Sequence, residues 1–154
     1  MARSKSEILI TQSLVDRLAD TEQWPETRAT SISMYRESMK RDLEWLLNTR
    51  NPVIPELESY PATAASVLNF GLPDIHSFDG SAGKEQNALT LALEKCIRTF
   101  EPRISQPRVY LTHSDHLSRS LRFHIEGQIF YENMEEEINF DTLLELISGE
   151  YEVK

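Results

Sequence analysis

The spacing of hydrophobic residues divides the chain into a helical first part and a final part made of strands. Up to residue 100, apolar side chains recur every three or four residues, and after Pro107 they alternate with polar ones. The first spacing is typical of amphipathic helices and the second of strands with one buried face. The sequence therefore predicts an α+β fold, with N-terminal helices packed on a small antiparallel sheet of three or four strands.

Residues 1–31 are predicted to form a docking arm, followed by a single α+β domain over residues 32–154. Ile10, Leu14 and Leu18 are spaced four residues apart and would lie on one face of a short helix. A short amphipathic helix in an arm suits a groove on a partner protein, so these three residues are candidate partner-binding residues. A frayed terminus is the alternative, because so short a helix buries little surface by itself.

Two long helices and a short one are predicted in the domain. The first has Ser33 as its N-cap, after an exposed linker, and ends before Pro52 with Arg50 in its last turn. The short helix covers residues 62–70 and ends at Gly71, where a left-handed conformation is needed. The apolar faces of the long helices consist of Tyr35, Met39, Leu43, Leu46 and Leu47 in the first, and of Leu89, Ala92, Leu93, Cys96, Ile97 and Phe100 in the second.

The last third of the chain is predicted to form the sheet. Val109 and Leu111 begin the alternation, and residues 121–131 continue it after a polar turn. Residues 138–147 fit a helix or a strand, and we favour a hairpin because Ser148 and Gly149 form a turn signal. The hairpin strands are marked by Ile138, Phe140, Thr142, Leu144 and Leu146 before the turn and by Tyr151 and Val153 after it.

The charge of the chain narrows the range of partners. Its 154 residues contain 16 Lys and Arg against 25 Asp and Glu, which gives a net charge of −9. Because phosphate binding depends on clustered Lys and Arg, neither a nucleic acid nor an anionic membrane is expected as a partner. No apolar run approaches the roughly 20 residues of a membrane span, and the N-terminus is too polar for a secretory signal. We therefore expect a soluble, cytoplasmic protein.

Candidate catalytic and metal-binding residues do not form a convincing set. Cys96 lies within an apolar helix face and is expected to be a core residue and not a nucleophile. His113, Asp115 and His116 lie in one polar turn without a fourth ligand, so a solvated turn is favoured over a metal site. The acidic run at residues 135–137 fits a solvated strand edge that discourages wrong pairing. We expect no catalysis, no cofactor and no metal.

Glu101, Pro102 and Arg103 form an unusual group where the last helix ends. Pro102 is expected to impose an extended geometry, in which Glu101 and Arg103 point to the same side. The functional interpretation is a paired recognition element for a protein partner. The alternative is an intramolecular cap, in which Arg103 bonds the last carbonyl groups of the helix, and spacing alone favours this alternative.

Four segments, in order, resemble a known family. KRDLEWLLNTR at residues 40–50 and SVLNFGLPD at residues 66–74 resemble signatures of the TssE family, baseplate subunits of the type VI secretion system. IRTFEPRI at residues 97–104 resembles the Glu-Pro-Arg signature of the wider lysozyme-like family of contractile-phage baseplate wedge proteins. FDT at residues 140–142, followed by SG at residues 148–149, is similar to the C-terminal hairpin of that family.

The resemblance implies a structural baseplate component of a contractile injection machine. Such a protein would contact the wedge proteins TssF, TssG and TssK in a six-fold assembly, with residues 101–103 as its main docking element. Its C-terminal strands would initiate the sheath, which is formed by TssB and TssC. It would be cytoplasmic and docked at the inner membrane through the assembled baseplate, without inserting into the membrane.

A peptidoglycan hydrolase is the alternative function, because the family name refers to lysozyme. The lack of a secretion signal and of a distinctive acid pair favours the structural role over the hydrolase. A muramidase assay on the pure protein would distinguish the two.

Overall fold

The computed structural model describes residues 9–19, 24–52, 54–74, 83–115, 119–131 and 134–154. Its helices are α1 (Leu14–Ala19), α2 (Arg28–Asn48), α3 (Pro61–Ala64) and α4 (Gly83–Phe100), with short 3-10 helices at Leu57–Ser59 and Val67–Asn69. Its strands are β1 (Ile104–Asp115), β2 (Ser120–Tyr131), β3 (Met134–Glu145) and β4 (Glu150–Val153). The α+β class is confirmed, with most of the helical residues preceding the sheet.

The chain divides into two compact units, residues 1–41 and 42–154, and α2 contributes residues to both. The predicted domain boundary between residues 31 and 32 stays a prediction. Within the described residues, no helix combines the length and the apolar character that crossing a membrane requires.

In the second unit, the four strands form one antiparallel sheet in chain order, β1-β2-β3-β4. On β2, the buried side chains Leu121, Phe123, Ile125 and Ile129 alternate with more exposed polar ones. This alternation is the pattern expected when one face of a sheet covers a core and the other faces water. The predicted strand period is therefore confirmed.

The C-terminal hairpin is also confirmed. Thr142 lies opposite Val153, and Leu144 lies opposite Tyr151. Gly149 has a φ of +74°, a left-handed conformation that suits glycine in the turn. Leu146 departs from the prediction, because β3 ends at Glu145 and Leu146 lies half-buried in the turn. The other marked residues are buried, namely Ile138, Phe140, Thr142, Leu144, Tyr151 and Val153.

The predicted core face of α4 is confirmed. Leu89, Leu93, Cys96 and Ile97 are buried, whereas Ala92 and Phe100 are half-buried. Burial raises the pKa of the Cys96 thiol to about 12, and the thiol lies within hydrogen-bonding distance of the Gly71 carbonyl. A thiol that stays protonated at neutral pH is a weak nucleophile, in line with the expected structural role.

The helix boundaries near the N-terminus differ from the prediction. Helix α2 begins at Arg28 and not after Ser33, because Thr27 is its N-cap. The Thr27 hydroxyl accepts a hydrogen bond from the Thr30 amide at 3.2 Å, and the Thr27 carbonyl accepts one from Ser31 at 3.0 Å. Residues 28–33, predicted to belong to the exposed linker, are thus helical.

The predicted helix over residues 62–70 is interrupted. Helix α3 ends at Ala64, and Ser66 begins a separate 3-10 helix by accepting a hydrogen bond from the Leu68 amide. The hydroxyl of Ser66 also donates to the Thr63 carbonyl, which closes the preceding turn. Serine competes with the helical backbone for hydrogen bonds in this way, and one continuous helix does not form.

Gly71 lies where two backbone segments come close together. The Leu72 amide donates to the Thr49 carbonyl, and the Asn51 amide donates to the Leu72 carbonyl, each at 2.9 Å. Gly71 has a φ of +103°, and a Cβ at this position would collide with the Thr49 carbonyl. The predicted left-handed conformation is confirmed, and glycine also permits the close approach of the two segments.

We expect Gly71→Ala to destabilise the protein by more than about 1–2 kcal/mol, the cost of a left-handed conformation for a residue with a Cβ, because the collision with Thr49 adds to it. Urea unfolding measures this change. Gly83→Ala is the matched control, since among the described residues, apart from its chain neighbours and its own helix backbone, no atom lies within 4 Å of a Cβ at that position. Equal stability of the two variants would contradict the steric argument.

Candidate docking sites

The Glu101-Pro102-Arg103 segment forms a tight turn and not the predicted extended segment. The Glu101 amide still donates to the Ile97 carbonyl at 2.8 Å, and the Ile104 amide donates back to the Glu101 carbonyl at 3.1 Å. Pro102 occupies the second position of this four-residue turn, where its fixed φ is favourable. The proline therefore ends α4 and turns the chain directly into β1.

The Glu101 carboxylate is buried and is bound by Arg103. Only 4% of Glu101 is exposed, and its Oε1 accepts hydrogen bonds from the Arg103 Nε at 2.6 Å and from the Arg103 amide at 3.3 Å. The Arg103 guanidinium also donates to Asp42 on α2 at 2.8 Å. These hydrogen bonds with Glu101 raise the pKa of Arg103 further, while burial opposes the shift. The three side chains form one charge cluster.

This charge cluster connects two of the segments that resemble the family, although they are far apart in the sequence. Asp42 belongs to residues 40–50, and Arg103 belongs to residues 97–104. Asp42 was not among the candidate residues, because the spacing within one helix gives no sign of a partner 61 positions away. About a quarter of the Arg103 side chain, 23%, remains accessible to solvent. The Arg103 side chain is thus held by two carboxylates and still partly accessible.

The end of α2 makes a second set of polar contacts, with the C-terminal hairpin. The Tyr151 amide donates to Asn48 Oδ1 at 2.8 Å, and Asn48 Nδ2 donates to the Tyr151 carbonyl at 2.9 Å. Arg50 donates to the Leu47 carbonyl, as its position at a helix end predicts, and also to the Gly149 carbonyl. The sequence did not indicate either contact with the hairpin, because each pair is about 100 residues apart.

A groove of about 710 Å³ lies along this contact. Its acidic lining residues are Glu44, Glu145, Glu150 and Glu152, and its other lining residues are Asn48, Arg50, Leu143, Ser148, Gly149 and Tyr151. Three lining residues, Glu150, Tyr151 and Glu152, belong to β4, the last strand of the sheet. A strand at the end of a sheet presents backbone groups that can accept a further strand.

The hydrogen-bonding direction of β3 and β4 follows from their last pair. Asp141 and Lys154 exchange both backbone hydrogen bonds, at 3.3 and 2.7 Å. Since bonded and non-bonded pairs alternate in antiparallel strands, Tyr151 and Val153 direct their N–H and C=O groups away from β3. On β3, the odd-numbered residues direct their N–H and C=O groups to the side on which β4 lies.

Strand β4 covers only part of β3. It has four residues and pairs with residues 142–145, whereas β3 has twelve residues. Glu135, Glu137 and Asn139 therefore direct their outward backbone groups to a side that β4 does not reach, and we name these three residues the open edge. In the part of the chain that the structure describes, no backbone hydrogen bond to these outward groups is found.

The open edge is exposed and acidic. The side chains of Glu135, Glu137 and Asn139 all point to solvent, while those of Ile138 and Phe140 are buried. The prediction of a solvated strand edge at residues 135–137 thus holds for Glu135 and Glu137, whereas Glu136 is half-buried. Except for Leu146, the residues predicted to mark the hairpin lie in the core. On β3, the outward backbone groups that β4 leaves unpaired belong to the exposed residues Glu135, Glu137 and Asn139.

In the first unit, α1 presents its apolar residues to solvent. Leu14, Val15 and Leu18 are 68%, 61% and 74% exposed. Because α1 begins only at Leu14, Ile10 precedes the helix and does not share its face, contrary to the predicted stripe. Ile10 is half-buried, and its amide donates to the Ser31 hydroxyl at 3.2 Å.

The polar side of α1 holds the helix in place. Asp16 accepts hydrogen bonds from Arg41 at 2.6 Å and from Ser38 at 2.8 Å, both on α2. Burial tends to raise the pKa of Asp16, but the hydrogen bonds from Arg41, Ser13 and Ser38 outweigh it and lower the pKa to about 2. The charged carboxylate is thus the inward anchor of α1, and its leucines face outward.

The predicted turn with His113, Asp115 and His116 is described only in part. His113 and Asp115 lie at the end of β1, and His116 lies outside the described residues. Among the residues that the structure describes, no group of three or more His, Cys, Asp or Glu side chains could hold a metal ion.

Comparison with known proteins places the chain in a family. A family model described as baseplate wedge protein gp25 matches residues 33–134, which is more than half of the chain. The charge cluster of Asp42, Glu101 and Arg103 lies inside the matched range, whereas α1 and β4 lie outside it. No protein with a curated description matches the chain. The chain belongs to the baseplate wedge protein gp25 family, and it is a structural component of a baseplate that interacts with other baseplate and tail components.

Proposed function

We propose that this protein is the TssE subunit of a type VI secretion baseplate, where it links the wedge complex to the tail sheath and initiates sheath assembly. Its wedge partners are TssF, TssG and TssK, and its sheath partners are TssB and TssC. It works in the cytoplasm within a six-fold assembly, docked at the inner membrane through the baseplate. Its role is binding and not catalysis, and it requires no metal or cofactor.

The observation that carries the sheath role is the open edge of β3. Three successive outward positions, Glu135, Glu137 and Asn139, offer six backbone hydrogen-bonding groups to an added strand. The carboxylates of Glu135 and Glu137 discourage pairing with a second copy of the same edge by charge repulsion. They favour a sheath strand that carries Lys or Arg at the facing positions.

The charge cluster supports the wedge role of Glu101, Pro102 and Arg103. Arg103 is held by two carboxylates, so its accessible part is presented in one fixed orientation. A guanidinium that is fixed in advance loses little side-chain entropy when a partner binds. The same contacts also give the cluster a structural role. An experiment on docking therefore has to measure stability and wedge binding separately.

The exposed leucines of α1 support a second contact with the baseplate. Because Asp16 holds the polar side of α1, the apolar side with Leu14 and Leu18 is displayed to solvent. An apolar helix face of this kind fits a hydrophobic groove on a wedge subunit. A docking role is least supported for Ile10 among the three predicted residues, because Ile10 precedes the helix.

We expect Glu137→Pro to leave the protein folded and able to enter baseplates but to start few sheaths. Proline removes an outward amide at an exposed position, where it leaves the pairing with β2 intact. Counting fluorescent sheaths in cells measures the effect. Glu137→Gln is the control, since it keeps the amide and removes the charge. Normal sheath numbers with the proline variant would exclude a strand at this position.

We expect the double variant Glu101→Leu/Arg103→Met to fold and to lose about 2–5 kcal/mol of binding to TssF and TssG. Replacing both members of a buried ion pair by apolar residues is often neutral for stability, whereas Arg103→Ala alone leaves a buried charge and costs about 3–5 kcal/mol. Co-purification and thermal unfolding give the two measurements. Arg98→Met is the control, an exposed arginine near the same helix end. Undiminished binding by the folded double variant would leave the cluster with a structural role only.

We expect Leu14→Gln/Leu18→Gln to bind wedge subunits at least about tenfold more weakly, because burying one leucine side chain contributes about 1.5–3 kcal/mol. Both side chains are exposed, so stability should be unchanged. Titration with purified wedge complex measures the affinity, and Arg17→Gln on the same helix is the control. If the double variant binds like the control, α1 is not a docking helix.

A further inference from the structure

The two accessible edges of the C-terminal hairpin are not equivalent. The open edge of β3 offers its backbone to solvent, whereas the outer side of β4 already has partners. At Tyr151, both outward backbone groups are bonded by the Asn48 carboxamide, at 2.8 and 2.9 Å. At Gly149, the carbonyl is bonded by Arg50.

The Asn48 side chain reproduces the hydrogen bonds of one strand residue. A residue in an antiparallel strand donates one N–H and accepts at one C=O from the same partner residue. A carboxamide has one donor and one acceptor group in a plane, so it can replace that residue at an edge. Asn48 is the last residue of α2, and its side chain reaches β4 from the end of the helix.

We propose that Asn48 closes β4 against strand addition and thereby directs an incoming basic strand to the open edge of β3. This inference rests on the proposed sheath role and adds the residue that determines which edge is used. An incoming strand at β4 would have to displace both Asn48 hydrogen bonds before it could pair at Tyr151. At Glu135, Glu137 and Asn139 it has nothing to displace in the described part of the chain.

The two edges differ in the number of backbone positions that they offer, but both are acidic. β4 offers Tyr151 and Val153 as outward positions, whereas β3 offers three. The groove along β4 is also acidic, with Glu44, Glu145, Glu150 and Glu152, so charge alone would attract a basic strand to both edges. Discrimination between two acidic edges therefore requires the hydrogen bonds of Asn48.

The test uses the full chain and a capped synthetic peptide of alternating valine and lysine as the strand. Hydrogen exchange at individual amides is followed by NMR, with and without the peptide. In the wild-type protein, we expect the peptide to protect the amides of Glu135, Glu137 and Asn139 and to leave Val153 unchanged. In Asn48→Ala, we expect protection of Tyr151 and Val153 as well, and a second bound peptide.

Without the peptide, the Tyr151 amide should exchange about fivefold faster in Asn48→Ala than in the wild type, the factor that corresponds to the loss of one ordinary hydrogen bond. Asn87→Ala is the matched control, because Asn87 is exposed on α4. Asn48→Ser is a second variant with the same expectation, since its hydroxyl is too short to bond both groups of Tyr151.

The outcomes separate the two proposals. If the peptide protects the open edge in all variants but adds no protection at β4 in the Asn48 variants, the proposed role of Asn48 is overturned. Strand addition at the open edge is then still supported. Equal protection of β4 in the wild type overturns the role of Asn48 as well. Absence of protection at Glu135, Glu137 and Asn139 in the wild type overturns strand addition at the open edge, and the inference about Asn48 with it.

Discussion

The buried carboxylate of Glu101 is the constraint on which the arrangement of the second unit depends. A charge that is only 4% exposed is costly unless a cation and hydrogen bonds compensate it, and Arg103 supplies both. The tight turn at Pro102 brings the two side chains together at the point where α4 ends and β1 begins. Because Arg103 also binds Asp42, the same compensation attaches the end of α2 to that corner.

The segment from Asp42 to Arg50 contacts three other parts of the second unit. Asp42 binds Arg103, the Thr49 carbonyl accepts from Leu72, and Asn48 and Arg50 bond the hairpin. The other three segments of the family resemblance thus each contact residues 40–50. The sequence of residues 40–50 has the pattern of one amphipathic helix. In the folded chain, the contacts of these residues also connect the other three segments.

The open edge of β3 and the leucines of α1 are proposed functional surfaces that do not include the charge cluster. β4 pairs with residues 142–145 of β3 and not with the open edge, and the leucines of α1 are displayed because Asp16 anchors the opposite side of that helix. Both surfaces present groups that a stable monomer would ordinarily cover, namely unpaired strand backbone and exposed apolar side chains. Such groups are typical of a protein that works inside an assembly.

The sequence by itself determined the elements that depend on local periodicity. The core faces of α2 and α4, the alternation on β2 and the hairpin at Ser148 and Gly149 follow from the spacing of apolar residues and from turn chemistry, which act over a few positions. The start of α2 was missed because the hydroxyl of Thr27 caps it ahead of the predicted Ser33. The pairing of Arg103 with Asp42 and of Asn48 with Tyr151 was decided only by the tertiary structure, since each joins residues far apart in the chain. A hydrogen bond between distant residues leaves no periodic trace in one sequence, because either partner alone reads as an ordinary polar surface residue.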